Sequence, residues 1–259
     1  MCDDLYKPNQ NLAITGLSRS GTTIVGSVFA NYLSKKFPNV YSEYQHQILH
    51  HGYKIPEYHV KDNFLLRKNI GLKEYNDEET RMIAYKHVNM IENMIDSNYK
   101  TILKIEPYVI YKQFYSPFVM DVLKKLNYVY VKRNNLLELF LSVIISKTKL
   151  VWHTNNPDDI SEDNIFVHKK HMKEFEEKLK AEDWFLKQIN IVAKINYEDI
   201  TSNEDILKLL NIGDFHNLGY NSKFVKRLPY KKNKIDYIIN KDEVVNFIKT
   251  LNMNNAGIV

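Results

Sequence analysis

The chain has 259 residues, with 36 Lys and Arg against 31 Asp and Glu, a net charge of +5 with His neutral. Hydrophobic residues make up 44% and charged residues 26%, which fits a chain with a buried core and excludes a fibre or a wholly disordered tail. The mild positive balance suits a small anionic ligand better than a long polyanion, which calls for clustered arginine, so no nucleic-acid partner is expected.

From the N-terminus, residues 12–15 are an apolar run closed by Gly16, the pattern of a buried strand. Residues 22–37 place Ile24, Val25, Val28, Phe29, Tyr32 and Leu33 at helical spacing and stop before Pro38. Residues 77–97 predict a second amphipathic helix, opened by acids that suit its positive end. Residues 101–105 and 128–131 predict strands, and 136–146 a largely apolar helix. Residues 161–188 repeat Ile165, Met172, Leu179 and Leu186 among many charges, which predicts one long surface helix. A strand over 189–195 and a helix over 203–210 follow. No repeat or Pro/Gly/Ser linker divides the chain, so 1–259 is expected to be a single domain. Strands alternating with helices imply an α/β fold: three layers, with a central parallel sheet flanked by helices.

The longest nearly apolar stretch, residues 136–145, is about half the length of a membrane-spanning helix and carries Glu138 and Ser142. Met1-Cys2-Asp3-Asp4 lacks the basic and apolar run of a secretory signal, and Cys2 has no second cysteine to pair with. The expectation is a cytoplasmic chain without stable membrane insertion.

Glycine is scarce, eight residues in all, yet Gly16, Gly21 and Gly26 fall close together. Gly16-Leu17-Ser18-Arg19-Ser20-Gly21-Thr22-Thr23 follows a predicted strand and opens a predicted helix. Such a turn aims backbone N–H groups at one spot, where the helix dipole also favours negative charge. Ser20, Thr22 and Thr23 add hydroxyl donors, and Arg19 adds a fork suited to phosphate or sulfate. The five-residue spacing of Gly16 and Gly21 nearly matches the phosphate loop G-x-x-x-x-G-K-[ST], so the domain is expected to be of the P-loop type. Thr22 stands where that loop has its lysine, which argues against ordinary ATP or GTP hydrolysis. A 5′-phosphate bearing one transferable anionic group fits better. The bland alternative is a Gly/Ser-rich turn with no ligand.

A second basic turn comes later. Lys132-Arg133-Asn134-Asn135 ends a predicted strand, where open α/β sheets bind ligands. Ser142 lies nine residues beyond Arg133, so the two share a site only if the turn folds back. Otherwise Arg133 is an ordinary surface ion-pair residue.

Together these segments resemble the sulfotransferases that use 3′-phosphoadenosine 5′-phosphosulfate (PAPS) and release adenosine 3′,5′-bisphosphate. Ser18-Arg19-Ser20-Gly21-Thr22-Thr23 is similar to the family's P-[KR]-S-G-T-T loop for the 5′-phosphosulfate, with Ser18 in place of Pro. Arg133 and Ser142 resemble its 3′-phosphate site, at the spacing of bacterial members related to the trehalose-glycolipid enzyme. Lys149-Leu150-Val151-Trp152-His153 is similar to that bacterial group as well. Asn196-Tyr197-Glu198-Asp199-Ile200 resembles the Y-E-D-[LM] element, whose Tyr lies near the adenine. Lys226 and Arg227 resemble a late basic segment that reaches the 3′-phosphate, although surface charge before Pro229 explains them equally well. The resemblance implies that amides, hydroxyls and one basic side chain suffice in the loop, and that no metal is needed.

Sulfuryl transfer to a hydroxyl or amine needs a base for the acceptor's proton and cationic donors for the leaving phosphate. Glu43, after the first helix, resembles the base of the tyrosylprotein and trehalose-glycolipid relatives. Glu106, in Lys104-Ile105-Glu106, stands where cytosolic relatives have a catalytic His. Glu43 is preferred. Arg19 is expected to hold developing charge, with Lys104 as a second choice. His46 and His50, one helical turn apart if helical, and the adjoining His51 suggest zinc, but without a defined third ligand a loop lining an acceptor fits better. Trp152 and His153 border an acceptor pocket or simply pack. The expected function is transfer of a sulfuryl group from PAPS to a sugar, glycolipid or small-molecule acceptor. The alternatives are a P-loop nucleotide kinase or phosphotransferase, and a nucleotide-binding module without catalysis.

Overall fold

A computed structural model describes residues 11–36, 47–49, 102–114, 117–149, 161–210 and 233–256. The chain forms an α/β structure around a five-stranded parallel sheet. Its strands are β1 (Leu12–Thr15), β2 (Gln47–Leu49), β3 (Ile102–Ile105), β4 (Asn127–Lys132) and β5 (Asn190–Asn196), in the order β2-β3-β1-β4-β5. β1 is therefore central, pairing Thr15 with Ile105 on one side and with Tyr130 on the other. All four β1 residues are buried, as expected of a parallel strand covered on both faces.

Alternation along the strands builds two cores. Leu12, Ile14, Val129, Val131 and Ile195 meet Val25, Phe29 and Leu33 of helix α1 (Thr22–Lys36) on one face. Ala13, Leu103, Ile105 and Tyr128 meet the other, with helix α2 (Pro117–Leu123) supplying Val119, Met120, Val122 and Leu123. There Tyr128 donates its hydroxyl to the Leu123 carbonyl at 3.0 Å and sets its ring edge-on to Phe185.

Helix α3 (Leu136–Thr148) starts where Asn135 accepts the Glu138 N–H, and Leu139–Ser146 are all buried. It packs with helix α4 (Lys169–Leu186) and helix α6 (Lys241–Ala256) through Phe140, Ile144, Phe175, Val244 and Ile248. Helix α5 (Asn203–Leu209) begins with a capping box. Ser202 Oγ accepts the Asp205 N–H at 3.1 Å, and Asp205 accepts the Ser202 N–H at 2.7 Å. Ser202→Ala is expected to lower stability by about 1 kcal/mol, read as a shift of the urea midpoint at unchanged slope.

The expected elements around β1, α1, β3, β4, α3, β5 and α5 are present, with ends within two residues or so. Two expectations are corrected. The helix over 161–188 starts only at Lys169, because Ile165 is bonded as an isolated strand residue. Its N–H donates to the Tyr237 carbonyl at 2.6 Å, and its carbonyl accepts from the Ile239 N–H at 2.9 Å. Gln47–Leu49, the residues between His46 and His50, are extended as β2 and not helical; the two histidines lie outside the described residues. The helix over 77–97 lies outside the described residues. Among the described residues, no helix is long and apolar enough to cross a membrane.

Candidate functional site

The C-terminal ends of β1, β3 and β4 point the same way because the strands are parallel, so the segments that leave them share one edge of the sheet. Three separated sequence elements meet there.

The first is the turn from β1 to α1. Its backbone enters unusual space at three positions: Gly16 has φ +150°, Arg19 φ +72° and Gly21 φ +94°. A Cβ on Gly16 would stand 2.3 Å from the Val131 carbonyl oxygen, and one on Gly21 would stand 2.5 Å from the Tyr197 ring. Ser20 closes the bend, donating its N–H at 3.1 Å and its hydroxyl at 2.7 Å to the Leu17 carbonyl. The Val25 N–H donates to the Gly21 carbonyl at 3.1 Å, the first turn of α1. Arg19 takes its positive φ without glycine's freedom, and its carbonyl accepts from Arg133 Nη1 at 3.3 Å. Ser18 and Thr22 are buried beside it.

The second is the turn after β4. Arg133 folds back over α3 so that Nη1 reaches Ser142 Oγ at 3.3 Å, and the expected pairing across nine residues is present. The Arg133 side chain is only 9% exposed and Ser142 3%. Ser142 is buried among apolar neighbours of α3, and this guanidinium is its polar partner. Nη2 lies 3.5 Å from Glu138 Oε2, which also accepts from Lys234 Nζ at 2.6 Å.

The third is the turn after β5. The Tyr197 ring lies under Arg133, 4.6 Å from the guanidinium carbon, and against Gly21, so it links the two basic turns. Glu198 accepts the Asn134 N–H at 3.1 Å and the Asn135 N–H at 3.0 Å. Burial works to raise the Glu198 carboxyl, but these amides win and hold it below its ordinary value.

Lys104, on β3, completes the edge. It donates to Thr23 Oγ1 at 3.0 Å, at the start of α1. Burial pulls its ammonium below the ordinary value, Glu106 pushes it back up, and the Arg19 charge pulls it down again. Glu106, two residues on, is 3% exposed, and its carbonyl accepts the Val109 N–H. Burial likewise lowers Arg133 and Lys234; Tyr197, Glu138 and Glu198 push Arg133 back up and Glu138 pushes Lys234 back up, while the neighbouring cations pull each down again. Arg19, Lys104, Arg133 and Lys234 thus gather beside the bend, countered in part by Glu106, Glu138 and Glu198, an arrangement that suits an anion.

Of the residues singled out from sequence, Ser18, Arg19, Ser20, Gly21, Thr22, Thr23, Lys104, Glu106, Arg133, Ser142 and Tyr197 therefore lie on this edge or directly against it. Glu43, His46, His50, His51, Trp152, His153, Lys226 and Arg227 lie outside the described residues. Lys234, Glu138 and Glu198 were missed. Glu138 had a signal, an acid three places after Asn135 at a helix start. Lys234, at the end of a basic run after Tyr230, had none.

No family model matches the chain, and no curated protein does either. A solved structure of a sugar kinase from Janibacter sp. HTCC2649, without ligand, is similar over 82% of this chain and 99% of its own, at 11% identity and a TM-score of 0.37. A likeness of that size says nothing about chemistry.

Proposed function

We propose that the chain binds a nucleotide with two separated phosphates along this edge, and that it is a PAPS-dependent sulfotransferase. The observation that carries the reading is Arg133. One Nη1 touches both the Arg19 carbonyl in the first bend and the Ser142 hydroxyl, which supports a second phosphate lying beside the loop instead of deeper along it. A nucleoside triphosphate stacks its phosphates in one line, whereas a 3′,5′-substituted nucleotide presents them from two carbons of one ribose.

In this reading the Gly16–Thr23 bend holds the 5′-phosphosulfate, Arg133 and Ser142 hold the 3′-phosphate, and Tyr197 borders the adenine. The donor supplies a sulfuryl group on a good leaving phosphate. The acceptor oxygen or nitrogen bonds to sulfur as the bond from sulfur to the phosphate oxygen breaks, and the acceptor's proton passes to a carboxylate. Arg19 and Lys104 place positive charge where that phosphate gains negative charge. Glu43 is the preferred base. Glu106 is the second choice, favoured by its place beside Lys104 at the end of β3. The acceptor in this reading is a sugar, glycolipid or small-molecule hydroxyl, with carbohydrate favoured by the bacterial resemblance.

Calorimetry separates this reading from the kinase one. Adenosine 3′,5′-bisphosphate is expected to bind without magnesium at least about tenfold more tightly than ATP with magnesium, a difference of about 1.4 kcal/mol. The reverse order overturns the proposal. For the base, Glu43→Gln should reduce turnover of PAPS by about a thousandfold or more while bisphosphate affinity stays within about threefold. Normal turnover in Glu43→Gln with a dead Glu106→Gln reverses the assignment. Binding with no turnover of any acceptor, indifferent to both, supports the module without catalysis.

A further inference from the structure

Helix α4 carries an acid where its buried stripe calls for an apolar residue. Phe175, Leu179 and Phe185 face the core, and Glu182 falls three places after Leu179 and three before Phe185. An acid at such a position needs a reason. Its reason lies 165 residues away: Glu182 Oε1 accepts the Leu17 N–H at 3.1 Å, the amide that follows Gly16 in the anion-binding bend. The Tyr130 hydroxyl of β4 acts on the same carboxyl and lowers it.

We propose that Glu182 is a positioning residue of the phosphate loop, fixing Leu17 from behind, and that it takes up a proton when an anion binds in front. The inference rests on the nucleotide-binding reading above. The physical argument is one of competing charge. Leu17 gives its N–H to Glu182, so that amide is turned from the ligand and anchors the first half of the bend. An ionised carboxylate at the back of a loop that receives phosphate repels the ligand, whereas a neutral carboxyl still accepts the Leu17 N–H on its carbonyl oxygen.

The groups acting on Glu182 come from each element against it. Burial raises it first. Tyr130 and the Leu17 amide lower it by hydrogen bonds, Lys132 of β4 lowers it by charge, and Asp183 on its own helix raises it. The balance pushes it up to about 7. Near neutral pH both forms are therefore populated, and an arriving anion shifts the population towards the neutral one. For stability, the sign is that of a raised carboxyl. The favourable neutral state is fully present below the ordinary carboxylate range, and its contribution is lost as pH rises towards about 7.

The test is isothermal titration with adenosine 3′,5′-bisphosphate and, separately, with inorganic pyrophosphate. Each is run at several pH values and in two buffers of different ionisation enthalpy. The wild-type chain should weaken about tenfold more than Glu182→Gln between pH 6 and pH 8.5, and should take up a fraction of a proton that the variant does not. Glu182→Gln keeps the neutral acceptor, so its remaining pH dependence should be that of the ligand's own phosphates. Glu182→Ala, which releases Leu17, should weaken binding at every pH. If Glu182→Gln fails to fold, Tyr130→Phe serves instead: losing that donor should move the midpoint of the wild-type pH profile upward. Equal pH slopes and equal proton uptake in wild type and Glu182→Gln overturn the inference while leaving nucleotide binding intact, as does an unmoved midpoint in Tyr130→Phe. Binding of neither ligand by the wild type overturns both readings.

Discussion

Gly16→Ala is expected to lower stability by about 3–4 kcal/mol and to abolish anion binding in the bend. At φ +150° an L side chain is strained before any contact is counted. The added Cβ then meets the Val131 carbonyl oxygen at 2.3 Å and the Ser20 hydroxyl oxygen at 2.9 Å. The first belongs to the backbone of β4, which is held by β1 on one side and β5 on the other and cannot retreat. The second closes the bend on Leu17. Gly21→Ala tests the contrast. Its Cβ would meet the side chain of Tyr197, which can swing aside, so the loss of stability should be smaller while Arg133 loses the ring beneath it. Chemical denaturation separates the two, and a Gly16→Ala midpoint unchanged within about 0.5 kcal/mol contradicts the packing described.

Arg133→Ala should weaken adenosine 3′,5′-bisphosphate about 100-fold and adenosine 5′-monophosphate by no more than about threefold. A charge-assisted hydrogen bond contributes about 1.5–3 kcal/mol, and a second anion site depends on this side chain in a way the loop amides do not. The substitution also removes the donor to Ser142, leaves Glu138 to Lys234, and frees the Arg19 carbonyl. Arg133→Lys should recover little, because one ammonium does not span the Arg19 carbonyl, Ser142 and Glu138 at once. Equal losses for the two nucleotides mean that Arg133 supports the loop and not a second phosphate.

The centre of the sheet and its first bend were legible because local chemistry decides them. Four buried apolar residues, a glycine and a helical period admit few alternatives, and β1 and α1 follow. The pairing of Arg133 with Ser142 was legible only as a condition, since nine residues do not face each other along one helix. What folds the turn back is Glu198 on the Asn134 and Asn135 amides, a contact across more than sixty residues that no local pattern contains. The helix over 161–188 was overextended because Ile165 fits the same seven-residue repeat as Met172, while its backbone is claimed by Tyr237 and Ile239. Helix α6 did carry a signal, Asp242 and Glu243 followed by Val244, Phe247, Ile248 and Leu251, that went unread. Glu182 had one too, an acid on an apolar stripe, but only its contact with Leu17 says why it stands there.

A crystal structure of the chain with adenosine 3′,5′-bisphosphate tests the two-site geometry most directly. The 5′-phosphate is expected in the bend between Gly16 and Thr23, and the 3′-phosphate within hydrogen-bond reach of both Arg133 and Ser142. A nucleotide whose 3′-phosphate faces solvent, with Arg133 still turned to Glu138 and Ser142, contradicts it.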